Sequence, residues 1–181
     1  MQSAKAISNI ITQDPLITTL DLNLNNLAEG VTDLFHGIKQ NKSLVCLRLR
    51  NNNLDGRKLQ KELYEMLCNH KSLTAIDFGN SDHVCNRNRI YDDGLKAIIE
   101  AIAESESSLI SELHLQSCLI TGRGLSVMQS LKCDLQILDL ANNDIGSDIS
   151  CLRPVLRSIR VLILSNVKLQ TKGCIELGYG L

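Results

Sequence analysis

Eleven side chains in the sequence could support nucleophilic or metal chemistry: Cys46, Cys68, Cys85, Cys118, Cys133, Cys151 and Cys174, with His36, His70, His83 and His114. No two cysteines have CxxC spacing, and an odd, scattered set does not describe a disulfide framework. Reduced thiols are expected, with some acting as small core fillers. Asp82, His83 and Cys85 fall together between Gly79 and Arg87. Two or three ligands fall short of the usual four of a structural zinc site, so no metal is expected. The sequence contains no Walker sequence, GxGxxG, HExxH or GxSxG. Asp92-Asp93 read as cap and first-turn charge of a helix, and His36 and His70 as surface groups near helices. Neither an enzyme nor a cofactor is expected.

What must position these residues is a leucine-dominated framework. Of 181 residues, 31 are Leu and 15 are Asn, while Phe, Tyr and Trp together make up 3%. With 44% hydrophobic residues the chain has enough aliphatic surface for one core, taken as a single domain over 1–181, and disorder is not expected. A formal net charge of −1 argues against a nucleic-acid partner. No apolar run approaches the roughly 18 residues needed to span a bilayer. Residues 1–14 lack the basic start and long apolar stretch of a secretory signal. A cytoplasmic location without a membrane partner is therefore expected, leaving the sequon Asn41-Lys42-Ser43 unused.

The framework repeats. Leu20-Asp21-Leu22 is followed by Asn25 and Leu27, Leu47-Arg48-Leu49 by Asn52 and Leu54, and Leu138-Asp139-Leu140 by Asn143 and Ile145. Leu113-His114-Leu115 leads to Cys118 and Ile120, and Leu162-Ile163-Leu164 to Val167 and Leu169. A copy at Ile76-Asp77-Phe78 is interrupted by an insertion, 79–87, and resumes at Asn88 and Ile90. After each motif comes helical spacing, as in Val31, Leu34, Phe35 and Ile38, in Leu59, Leu63, Met66 and Leu67, and in Leu95, Ile98, Ile99 and Ile102. Each unit reads as a short strand, a turn and a helix. The units start near 17, 44, 73, 110, 135 and 159, with equivalent strand leucines 27, 29, 37, 25 and 24 residues apart.

On these motifs the chain resembles the leucine-rich repeat family, and its long helical segments with an Asn-or-Cys turn are similar to the ribonuclease-inhibitor-like class. The resemblance implies an α/β fold: a curved solenoid, a horseshoe fragment of about six repeats, with parallel strands on the concave face and helices on the convex face. Each unit is too thin to bury its apolar face alone, so stacking makes the core. The turn side chains Asn25, Asn52, Asn88 and Asn143 should be buried and structural, with Cys118 a weak substitute and Val167 none. Residues 3–13, with Ala6, Ile7, Ile10 and Ile11 as the apolar stripe, read as a capping helix. The sequence stops at Gly178-Tyr179-Gly180-Leu181 within the last expected helix. A missing C-terminal cap, a fragment of a longer chain, or self-association through that end is expected. Pro154 should shorten the fifth helix.

In this arrangement the residues beside the inward leucines form three rows across the concave face. The central row is Asp21, Arg48, Asp77, His114, Asp139 and Ile163. One flank is Thr19, Cys46, Ala75, Glu112, Ile137 and Val161, and the other Asn23, Arg50, Gly79, Gln116, Ala141 and Ser165. Arg48 should lie between Asp21 and Asp77, and His114 between Asp77 and Asp139. Ile137, Val161 and Ile163, with Ala141 nearby, should make an apolar cluster. Cys46 stands too far from His114 for a nucleophilic pair. The function expected is protein binding through this face and the loop bearing Asp82, His83, Cys85 and Arg87. The alternatives are a regulator of a small GTPase, similar to leucine-rich repeat activators of Ran-type GTPases, or the sensing or targeting part of a larger receptor or of a bacterial effector acting in the host cytosol.

Overall fold

The computed structural model describes residues 2–68, 70–146 and 148–179. Six short strands follow one another: β1 (Thr19–Asp21), β2 (Cys46–Arg48), β3 (Ala75–Asp77), β4 (Glu112–His114), β5 (Ile137–Asp139) and β6 (Val161–Ile163). They form one parallel sheet in chain order, with Leu20, Leu47, Ile76, Leu113, Leu138 and Leu162 side by side. Successive strand residues point to opposite faces, so these side chains and the next inward ones fall on a single side. In the four middle layers that side is dry: Leu47, Leu49, Ile76, Phe78, Leu113, Leu115, Leu138 and Leu140 are fully buried. Leu20 and Leu22 at one end, and Leu162 and Leu164 at the other, are only partly buried, because a terminal layer has a neighbour on one side only.

Helical segments on the buried side return the chain from strand to strand. α1 (Gln2–Gln13) precedes β1, and α2 (Val31–Gln40), α3 (Gln60–Cys68) and α4 (Tyr91–Glu104) follow β1, β2 and β3. Their apolar stripes, such as Leu95, Ile98, Ile99 and Ile102, are the residues that meet the sheet. After β4 and β5 the return segments are not the α-helices expected in every unit. Gly124–Ser130 and Asp148–Leu152 are 3-10 helices, the second leading into a four-residue α5 (Arg153–Leu156) with Pro154 in its first turn. The repeats here are the shortest, and a 3-10 helix rises about 2.0 Å per residue against 1.5 Å for an α-helix, so it crosses the layer with fewer residues. α6 (Gln170–Gly178) follows β6. The expectation of an uncapped C-terminus rests partly on Gly180 and Leu181, which lie outside the described residues.

The face of α1 also differs from expectation. Ala4, Ser8 and Ile11 are buried, whereas Ala6 and Ile10 are exposed. Gly37 of α2 is the cause, since a Cβ there would overlap Ser8, and the missing side chain lets the two helices approach through the serine. Asn41 then closes the loop after α2. Its Nδ2 donates to the Ile11 carbonyl at 2.7 Å, and its Oδ1 accepts the Leu44 N–H at 2.6 Å. The sequon asparagine is thus buried and engaged at both ends of its amide.

His70 occupies the same place one repeat later. It is buried rather than the surface group expected. Its Nδ1 accepts the Leu73 N–H at 3.2 Å, and its Nε2 lies beside the Ile38 carbonyl without a well-formed hydrogen bond. Burial holds this imidazole below its ordinary pKa, opposed only in part by that carbonyl.

Turns after the strands are closed by side chains of the following repeat. Asn52 Oδ1 accepts the N–H groups of Asn25 and Leu27, while its Nδ2 donates to the carbonyls of Leu22 and Arg50. Asn88 does the same for Asn52 and Leu54, donating to Leu49 and Phe78. Asn143 serves Cys118 and Ile120, donating to Leu115, Leu140 and Ala141. All three are buried. Asn25 is not: with no earlier repeat to serve, it is exposed and its Nδ2 bonds only the Asn23 carbonyl. Residues on either side of the turn positions take left-handed backbone conformations, among them Asn26, Asn51, Asn53, Asn142 and Asn166. Asparagine tolerates that region better than most side chains, which accounts for more of its excess.

Two outcomes follow. Asn143→Ala should cost about 2–4 kcal/mol in urea unfolding, because it orphans two N–H groups, whereas Asn25→Ala should cost about 0.5 kcal/mol or less. For His70, the folded state favours the neutral ring, so its contribution is complete above the unfolded pKa of about 6.5 and declines as pH falls below it. His70→Asn should flatten the stability profile between pH 7 and 5, and an unchanged slope would show that His70 does not set it.

Candidate functional site on the strand face

The outward side chains of the sheet stand in the register that the repeats imply. Asp21, Arg48, Asp77, His114, Asp139 and Ile163 are successive neighbours, and so are Thr19, Cys46, Ala75, Glu112, Ile137 and Val161. Three aspartates of the central row behave alike. Each gives one oxygen to the backbone two residues on: Asp21 to the Asn23 N–H (3.1 Å), Asp77 to that of Gly79 (2.9 Å) and Asp139 to that of Ala141 (3.0 Å). This local turn fixes the carboxylate and leaves Oδ2 for a cation.

Those cations are not all the ones expected. Asp21 meets Arg48 Nη1 at 3.5 Å. Asp77 pairs with Arg50 of the flanking row rather than with Arg48. Arg50 is held by its own backbone, whose N–H donates to Asn23 Oδ1 at 2.7 Å, and its side chain leans over β3 to reach Asp77 and then Gln116 Oε1 at 3.3 Å. His114 faces Asp139, not Asp77, at 3.9 Å, beyond a hydrogen bond. Burial alone would raise the Asp139 carboxyl. The His114 ring, the Ala141 N–H and the Arg50 charge outweigh it and hold the group below the usual carboxylate range.

Between β2 and β4 the face dips into an open hollow of about 350 Å³, whose lining includes Cys46, Arg48, Ala75, Asp77, Glu112 and His114. Its cause is side-chain volume. β3 presents Ala75 and continues to Gly79, where its neighbours carry Arg48 and Arg50 or Glu112, His114 and Gln116. Cys46 and His114 share the hollow but stand on strands separated by β3, about 10 Å apart at the backbone, too far for proton transfer between them. Among the described residues, no three His, Cys, Asp or Glu side chains converge on a point that could hold a metal ion.

Farther along, Ile137 and Val161 are register neighbours and Ile163 is beside Asp139. Val161 is exposed, Ile137 and Ile163 are partly exposed, and Ala141 is buried, so it drops out of the apolar cluster. Asp92 and Asp93 stand in the first turn of α4 as expected, but Asp92 caps nothing there and instead accepts hydrogen bonds from the Thr121 N–H and hydroxyl, at 2.8 and 2.7 Å, tying α4 to the next repeat.

The loop 79–87 does not enter the hollow. Asp82, His83, Cys85 and Arg87 are exposed at its rim of the fold, and the loop leans toward the β2 turn through Asn86, whose carbonyl accepts the Asn53 N–H at 2.7 Å. Its anchoring residue, absent from the expected site, is Asn80. That side chain is buried, with Nδ2 donating to the Asn88 and Ser117 carbonyls and Oδ1 accepting the Asn88 N–H at 2.7 Å. Cys118 explains it. The thiol, pushed up in pKa by burial, donates to Phe78 and Gln116 carbonyls as a turn asparagine would, but does not supply the acceptor for the preceding turn. Asn80 supplies it from within the insertion. The sequence signal was there, in a second Asn near the interrupted motif where the next repeat has Cys.

A family model described as Leucine Rich repeat matches residues 132–149, which hold β5 and the Asn143 turn. That match covers one leucine-rich repeat, and the strand it contains recurs in register across one six-stranded sheet. No curated protein matches the chain in sequence. Among solved structures, the chain is similar to leiomodin-1 actin-binding site 2, at 14% identity with a TM-score of 0.58 over 99% of this chain and 86% of that one. It is also similar to the tropomodulin C-terminal domain of Caenorhabditis elegans, at 12% identity and a TM-score of 0.60 over 98% and 90%. No helix among the described residues is long and apolar enough to cross a membrane.

If Asn80 substitutes for the acceptor that Cys118 lacks, Asn80→Ala should destabilise the protein by about 1–3 kcal/mol. Adding Cys118→Asn should recover part of that loss. Additive effects in a double-mutant cycle would refute the exchange of roles.

Proposed function

We propose that the protein is a non-catalytic protein-binding module, a curved solenoid of the ribonuclease-inhibitor-like class acting in the cytoplasm, and that a partner docks on its concave strand face. The observation supporting this reading is the immobilised polar array across β1 to β5. Asp21, Asp77 and Asp139 are each fixed by a backbone N–H, and Arg50 is held by Asn23, Asp77 and Gln116. Side chains already ordered lose little entropy on binding, and their charges give orientation and selectivity. The exposed Arg48–Asp21 pair contributes little to folding, which leaves it available for recognition. The exposed residues of loop 79–87, Asp82, His83, Cys85 and Arg87, stand at the edge of the same face and would extend the contact.

Actin is the partner to test first, because a structure of the same fold and extent is the actin-binding site 2 of leiomodin-1. Arg48→Glu is the informative variant. Its side chain is half exposed and, among the described residues, paired with Asp21 alone, so folding should be unaffected. Co-sedimentation with actin filaments, and affinity capture followed by titration of the captured protein, should show binding reduced at least about tenfold by Arg48→Glu and weakened by added salt. A partner bound equally by wild type, Arg48→Glu and Ile163→Asp would place binding off this face and overturn the reading.

A further inference from the structure

We propose that the hollow over β3 is a docking site for a basic side chain, arginine or lysine, presented by a protein partner. The inference rests on the reading of the strand face as a docking surface and goes further, to the chemistry of the group that enters it. Three observations combine. The first is shape: Ala75 of β3 and its register neighbour Cys46 of β2 are small beside Arg48, Glu112 and His114, and Arg50 crosses toward Gln116 to close one end. The open end is therefore on the Ala75 side. A methyl group and a small thiol suit the aliphatic stem of a long charged side chain, which buries its methylenes while its head stays in a polar setting.

The second observation is charge. The hollow holds Asp21, Asp77 and Glu112 against Arg48 and Arg50. Arg48 is matched by Asp21, and Arg50 by Asp77. Among the described residues Glu112 makes no ion pair and its carboxylate accepts no hydrogen bond. One negative charge is left over, on the wall of the hollow. The third is rigidity. Asp77 has one oxygen on the Gly79 N–H and the other on Arg50, and is largely shielded from solvent, so Arg50 is held on Asp77 and Gln116 rather than on Glu112. The hollow thus lacks one cation at a defined place. An anion would meet arginines already engaged and an unpaired carboxylate. An uncharged group would leave Glu112 desolvated without a partner, which is costly.

The test uses the intact protein, isotopically labelled, and the tripeptide acetyl-Gly-Arg-Gly-amide, compared with its citrulline counterpart, which has nearly the same shape without the charge. Amide shifts at Ala75, Glu112 and His114 on adding the arginine peptide, absent with citrulline, are expected. Glu112→Gln should weaken the arginine peptide about tenfold, as loss of a charge-assisted bond does. Because Glu112 has no partner to lose, the variant keeps its fold, and its amide spectrum reports that directly. Shifts equal for both peptides, shifts confined to other surfaces, or shifts unchanged in Glu112→Gln would each overturn the proposal. The broader reading fails separately: a captured partner sensitive to Arg48→Glu, with no arginine response in the hollow, would remove this site and leave the docking face standing.

Discussion

A chain that forms three residues of strand and then turns leaves backbone donors and acceptors that its own turn cannot pair. In this protein the next repeat pairs them. The side-chain amide is suited to the task because it is both acceptor and donor, and one asparagine reaches two N–H groups and two or three carbonyls at once. The parallel register depends on these links, since they join the end of each strand to the one beside it. The rows of outward side chains depend on that register, and a slip of one residue would send every charged group of the face into the core.

The deviations from the pattern show how strict the requirement is. Where the turn residue is Cys118, a donor persists through the thiol, but the acceptor is missing, and Asn80, eight residues before Asn88 in the chain, supplies it. Where it is Val167, the position is buried as a plain apolar contact. The insertion after β3 is thus more than an exposed loop added to a finished repeat. Its buried Asn80 completes the turn at Asn88, and the exposed part of the loop is itself tied to the β2 turn through the Asn86 carbonyl.

Strand positions, face rows and the strong helices were legible in the sequence because each follows from one periodicity, two residues along a strand or 3.6 around a helix. What was not legible depends on the third dimension. Asn25 has the motif of its equivalents but not their burial, since an asparagine is enclosed by the repeat before it, and Asn25 follows none. His70 looks like a helix-end surface residue until its equivalence with Asn41 is seen in space. The partner of Asp77 could not be chosen from register alone. Arg48 is the direct neighbour, yet the reach of Arg50 from two residues along, and the brace from Asn23, decide the pairing. The hollow was visible only in part. Ala75 and Gly79 stood in the rows as letters, and their meaning is volume relative to both neighbours.

The amide links also have a direction. Asn52, Asn88 and Asn143 each accept the N–H groups of the turn that precedes them in the chain, while their amide groups also donate to carbonyls of their own strand end. Wherever an asparagine holds the turn position, a repeat is therefore complete only in the presence of its successor, and a boundary cut after that asparagine's repeat would keep the turn before it intact while a cut ahead of it would not.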